Sequence, residues 1–225
     1  MSANVLPAVE ISTAAEPTHA VIWMHGLGAD GHDFEPVVDE FDIDRLPPTR
    51  FVFPHAPQRP VTINGGYIMR AWYDILSQDF NGRREDARGV IESAAQVEAL
   101  IARENARGVS DSRIVLAGFS QGGAIALHTA LRHPNRLAGV LALSTYLPLA
   151  DTLASEASEA NRDVPIFMAH GTADPVIPHD FARRSADQLA AAGYPLAWRS
   201  YRMEHSLCME EVRDIEDWLA AVLAA

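Results

Sequence analysis

Apolar residues fall along this chain in short runs, separated by stretches with a helical period. The runs are Ala20-Val21-Ile22-Trp23-Met24, Phe51-Val52-Phe53, Ile114-Val115-Leu116-Ala117, Gly139-Val140-Leu141-Ala142-Leu143-Ser144 and Pro165-Ile166-Phe167-Met168-Ala169-His170. Their length and continuity suit strands buried on both faces. Leu196 to Tyr201 reads as a last strand, and Val9-Glu10-Ile11 as an edge strand in a loose lead-in over residues 1–19. Val90, Ile91, Ala94, Val97, Leu100 and Ile101 share one face of a helix over about 88–107, which Gly108 closes. Another helix follows residue 120 and stops at His133-Pro134. Others are expected over His179–Ala192 and over Glu210–Leu223, the last with Val212, Ile215, Leu219 and Val222 inward. Asp33–Phe41 and part of 145–163 carry weaker helical patterns.

Strands alternating with helices predict βαβ units. The fold class is therefore α/β, a mostly parallel central sheet with helices on both faces, as one domain over residues 1–225. Residues 58–86 show no steady period and are expected to form an irregular loop on the substrate side. They include Trp72-Tyr73-Asp74 and the polar run Asn81-Gly82-Arg83-Arg84-Glu85-Asp86.

Composition narrows the partners. Acidic residues outnumber Lys and Arg by 30 to 18, for a net charge of −12, which argues against nucleic acid. Cys208 is the single cysteine, so no internal disulfide is expected. Residues 1–20 lack a basic start and an apolar core, so a cytoplasmic location is expected. The uncharged runs Ile114–Leu131 and Leu137–Ala150 are interrupted by polar residues, glycines or Pro148, so stable membrane insertion is not expected.

The chemistry centres on Gly118-Phe119-Ser120-Gln121-Gly122. A strand, a glycine-flanked serine and then a helix is the order of a nucleophile elbow. Three other polar groups fall just after predicted strands: His25-Gly26-Leu27, Asp174 and His205. In parallel sheets such positions gather at one edge. Ser120 is then the nucleophile, His205 its general base and Asp174 the acid that orients His205, ahead of Asp163 or Asp180. The backbone N–H groups of Leu27 and Gln121 are the candidate oxyanion hole. His25, His128 and His170 read as structural, and Cys208 as a thiol near a helix start. Gly26-Leu27-Gly28 lacks the spacing of a dinucleotide fingerprint, and no paired metal-ligand motif occurs, so neither cofactor nor metal is expected.

Further motifs are Phe53-Pro54-His55-Ala56-Pro57, Pro60-Val61-Thr62-Ile63-Asn64-Gly65-Gly66-Tyr67, Trp72-Tyr73-Asp74, His170-Gly171 and Asp174-Pro175-Val176. With His25 to Gly31, the serine motif and His205, they resemble in order the phospholipase/carboxylesterase family of α/β-hydrolases. The likeness is strongest to its bacterial carboxylesterases. The resemblance implies the α/β-hydrolase fold, the same triad and the same two oxyanion donors. It also implies an acyl-binding groove along residues 62–80, with Trp72, Met69, Leu76 and Val176 as substrate-contacting candidates. Two positions depart from the family pattern: Arg70 stands where a proline or small residue is expected, and Ser206 where many relatives are acidic. The reading is a serine carboxylesterase that cleaves short- to medium-chain acyl esters, with thioesters open, through an acyl-enzyme. A lysophospholipase or acyl-protein thioesterase is the alternative on the same fold. A non-catalytic binding protein is the alternative of another class. The partner is a small acyl ester, and a homodimer is left open.

Overall fold

The apolar runs fold as strands. The computed structural model describes residues 5–77 and 84–224. Its strands are β1 (Ala8–Ser12), β2 (His19–Met24), β3 (Thr49–Pro54), β4 (Gln58–Val61), β5 (Tyr67–Arg70), β6 (Ile114–Phe119), β7 (Gly139–Leu143), β8 (Ile166–Gly171) and β9 (Leu196–Tyr201). Its helices are α1 (Ala87–Ala106), α2 (Gln121–Ala130), α3 (Leu153–Glu156), α4 (His179–Ala191) and α5 (Met209–Leu223). Seven strands make one sheet in the order β1-β3-β2-β6-β7-β8-β9. Only β1 is antiparallel to its neighbour.

Side-chain alternation along each strand divides the core in two. Ile22, Leu116, Val140 and Met168 face the side covered by α1, α2 and α4. Trp23, Val115, Leu141 and Phe167 face the side covered by α5 and the segment around Val38 and Phe41. That segment, Glu35–Glu40, is a 3₁₀ helix with Pro36 in its first turn, where the sequence pattern suggested a short helix. On α5, Val212, Ile215 and Leu219 are buried as expected, while Leu223 is buried and Val222 only half-buried.

Over residues 58–77 the chain is more regular than expected. β4 and β5 form an antiparallel hairpin that pairs Gln58 with Arg70 and Val61 with Tyr67. Gly65 and Gly66, at φ +65° and +79°, make its turn. Pro60 and the shortness of both strands hid the alternation. Residues 78–83, including Asn81-Gly82-Arg83 of the polar run, lie outside the described residues.

Parallel strands put the carboxyl ends of β2, β6, β8 and β9 on one edge, where Leu27, Ser120, Asp174 and His205 follow them. The closest backbone approach lies there. A Cβ on Gly122 would come within 2.2 Å of the Met24 carbonyl oxygen, and one on Gly118 within 2.3 Å of Gly122. Both obstacles are main chain and cannot swing aside. Gly122→Ala is expected to cost about 2–3 kcal/mol, as overpacking does. A lower urea midpoint checks this, and unchanged stability would mean the strand and helix are not held together there.

Candidate active site

β6 ends at Phe119 and α2 begins at Gln121, so Ser120 alone makes the turn. Its backbone sits at φ +54°, ψ −119°. An L residue held at positive φ is strained by about 1–3 kcal/mol. Neighbouring groups hold it. The Ser120 N–H donates to Leu143 O at 2.8 Å, and Ser120 O accepts from Thr145 Oγ1 at 2.6 Å and from the Ala124 N–H at 3.1 Å. Thr145 thus ties the end of β7 to the serine, a role that nothing in its local sequence signals.

Ser120 Oγ lies 2.9 Å from His205 Nε2, and His205 Nδ1 lies 2.7 Å from Asp174 Oδ2. A carboxylate only accepts, so Nδ1 carries the proton and Nε2 is left to accept from the serine hydroxyl. The Phe119 ring packs on His205, with centroids 4.8 Å apart. Asp174 Oδ1 accepts from the N–H groups of Val176 and Ile177 at 2.8 and 2.9 Å. The buried His170 closes on its other side. His170 Nε2–H donates to Ile177 O at 2.9 Å and lies 3.2 Å from Asp174 Oδ2. A histidine four residues before an acid at a strand end was the available signal for this contact.

The Leu27 loop is held from below. His25 Nδ1–H donates to Gly26 O at 2.7 Å, while His25 Nε2 accepts from the Ala56 N–H at 3.0 Å. Both ring nitrogens are used, and burial lowers the pKa of His25, so it stays neutral. This matches its structural reading. Among the described residues, no hydrogen bond takes up the N–H of Leu27 or of Gln121. The Gln121 side chain faces the hairpin side, accepting from Trp72 N at 2.8 Å and donating to Tyr73 O at 2.7 Å.

A cavity of about 880 Å³ opens above Ser120, with Leu27, Gln121 and His205 in its walls. One apolar wall, continuous with the α5-side core, consists of Phe34, Val37, Phe119 and Leu207. The opposite wall includes Tyr73, Ile75, Tyr146 and Ile177, continuous with the other core. Tyr73 and Tyr146 share a hydroxyl hydrogen bond of 2.6 Å. Val176 lines the cavity at its mouth, 54% exposed.

The other substrate-contacting candidates are not among the described lining residues. Trp72 is fully buried, its indole N–H donated to His25 O at 2.9 Å, which turns the ring into the core. Leu76 lies between Ile75 and Ser77, which do line the cavity, so the expected residue is out of phase by one. Met69 accepts from Asn64 Nδ2 at 3.4 Å, back within its own hairpin. Phe34, Phe119 and Tyr146, unassigned from sequence, take their place.

Burial pushes the Asp174 pKa up, but hydrogen bonds from His170, His205 and the Ile177 N–H outweigh it. They hold the carboxyl well below the usual carboxylate range. A lowered folded-state pKa contributes stability above the unfolded value of about 4, and that contribution is lost as pH falls below it. Wild-type protein should therefore lose more urea stability than Asp174→Asn between about pH 5 and 2.5. An equal loss in both would show that Asp174 is not so held.

Comparison with known proteins identifies the family. A family model described as Phospholipase/Carboxylesterase matches residues 6–223. Acyl-protein thioesterase 1 of Neurospora crassa is 40% identical over 95% of this chain and 90% of its own. Among solved structures, Arabidopsis thaliana SOBER1 has a TM-score of 0.86 at 32% identity, covering 91% of this chain and 99% of its own. Zea mays acyl-protein thioesterase 2 also reaches 0.86, at 29% identity, covering 96% and 99%. Among the described residues no helix is long and apolar enough to cross a membrane. The protein is a hydrolase and belongs to the phospholipase/carboxylesterase family of α/β-hydrolases.

Proposed function

We propose that this hydrolase cleaves acyl thioesters and esters through an acyl-enzyme on Ser120, with S-acylated protein as its foremost substrate class. The observation that carries this reading is the hydrogen-bond chain Ser120–His205–Asp174 at 2.9 and 2.7 Å, beneath a cavity with apolar walls. His205 Nε2 takes the Ser120 proton as Oγ attacks the acyl carbonyl carbon. Negative charge collects on the carbonyl oxygen, where the N–H groups of Leu27 and Gln121 receive it. The intermediate collapses, the C–S or C–O bond breaks, and His205 returns the proton to the leaving thiol or alcohol. Water, deprotonated by the same imidazole, then attacks the acyl-enzyme and releases the carboxylic acid. Asp174 stays ionised throughout and stabilises the imidazolium.

The relatives change the ranking drawn from sequence alone. The named curated relative is an acyl-protein thioesterase, as is the maize structure, which favours that alternative over a short-chain carboxylesterase. The apolar walls support it, since each buried methylene of an acyl chain contributes about 0.8 kcal/mol. Membership of a hydrolase family weighs against a non-catalytic binding protein.

Two outcomes are expected. Ser120→Ala should abolish covalent labelling by a fluorophosphonate probe and lower kcat by about 10⁴-fold or more; full activity in the variant would refute the mechanism. Long-chain S-acylated peptides should give a higher kcat/KM than p-nitrophenyl butyrate. The reverse order would restore the short-chain carboxylesterase reading.

A further inference from the structure

The surroundings of Arg70 give it a task. Four hydrogen bonds close a circuit around Leu27. His25 Nδ1–H donates to Gly26 O at 2.7 Å, and the Ala56 N–H donates to His25 Nε2 at 3.0 Å. Arg70 Nη1 donates to Ala56 O at 2.9 Å, and the Gly28 N–H donates to Arg70 O at 2.8 Å. The circuit fixes the backbone of Gly26 and of Gly28, the residues on either side of Leu27. Gly28 sits at φ +77°, a conformation that the chain adopts only where neighbours hold it or glycine permits it. Ala56 is held from both sides, its N–H by His25 and its carbonyl by Arg70.

The same short segment reaches the second oxyanion donor. Ala71 N–H donates to Pro57 O at 3.1 Å, while Trp72 N–H and Tyr73 O engage the Gln121 side chain. Trp72 Nε1–H donates to His25 O. Residues 70–73 therefore span the Leu27 loop and the head of α2. Within this brace, the Arg70 guanidinium supplies the side-chain link to Ala56. It forms no ion pair among the described residues, so its charge-assisted hydrogen bond goes to main chain instead.

We propose that Arg70 is a positioning residue of the oxyanion hole: through Ala56 and His25 it holds the loop that aims the Leu27 N–H at the reacting carbonyl. The proposal rests on the reading of Leu27 as an oxyanion donor. Arg70 is not among the described residues that line the cavity, so its route to the reacting carbonyl is through the loop. A misaimed donor weakens transition-state binding while leaving ground-state binding in place.

The test uses the full chain with Arg70→Met, which keeps an unbranched apolar stem and removes the donors, and Arg70→Lys, which restores a charged donor. With p-nitrophenyl butyrate, Arg70→Met should lower kcat about tenfold and leave KM within about twofold, a partial loss compared with deleting a donor outright. A trifluoromethyl ketone, which forms an oxyanionic adduct with the serine, should bind more weakly by the same factor. Amide exchange over residues 25–31 should speed up, and Arg70→Lys should recover most of each effect. Wild-type kcat and wild-type exchange in Arg70→Met would overturn the proposal, as would a loss confined to KM or one that Arg70→Lys does not recover. If wild-type protein hydrolyses no ester, the functional reading fails separately, and the exchange comparison still decides whether Arg70 holds the loop.

Discussion

Gly122 lies against the main chain of Met24 and His25 with no room for a Cβ. This contact presses the head of α2 onto the end of β2. One side of it carries Ser120 and the Gln121 N–H, and the other carries the Leu27 loop. The two candidate oxyanion donors come from segments nearly a hundred residues apart in sequence, and this packing sets their distance. The strain at Ser120 follows from the same constraint, because β6 must end and α2 must begin within one residue. The sheet supplies what the strained turn requires: Leu143 and Thr145, at the end of β7, hold the serine backbone in place.

Electrostatics complete the site. A buried carboxylate is costly unless it is well hydrogen-bonded. Asp174 meets that condition with two backbone N–H groups on one oxygen and His205 on the other, with His170 alongside. The arrangement keeps Asp174 charged and fixes the proton on His205 Nδ1. It leaves Nε2 as the acceptor facing Ser120. Burial holds His25 neutral, and protonating it would break its bond to the Ala56 N–H. His205 faces Ser120 and is the proposed base, whereas the buried His25 braces the Leu27 loop.

Much of this was legible in the chain. Every sheet strand announced itself as an apolar run or alternation, and Ser120, Asp174 and His205 stood out because each follows a strand. The hairpin β4–β5 did not, since Pro60 interrupts it and four-residue strands carry little periodic signal. Trp72, expected as a substrate contact from the groove-flanking segment, is fully buried instead, with its indole N–H donated to His25 O. Leu76, also expected to contact substrate, is not among the described lining residues, whereas its neighbours Ile75 and Ser77 are. The circuit through Arg70 could not be read at all, because it joins residues 25–28, 56 and 70, which only the folded chain brings together.

Ser120 is proposed to carry the acyl group during turnover. Acid quenching of the enzyme within the first turnovers of an S-acylated peptide, followed by peptide mapping by mass spectrometry, tests it most directly. The acyl mass is expected on the peptide that contains Ser120, present before steady state and absent after substrate is exhausted. An acyl adduct on the Cys208 peptide instead, or turnover with no adduct at all, would contradict that role.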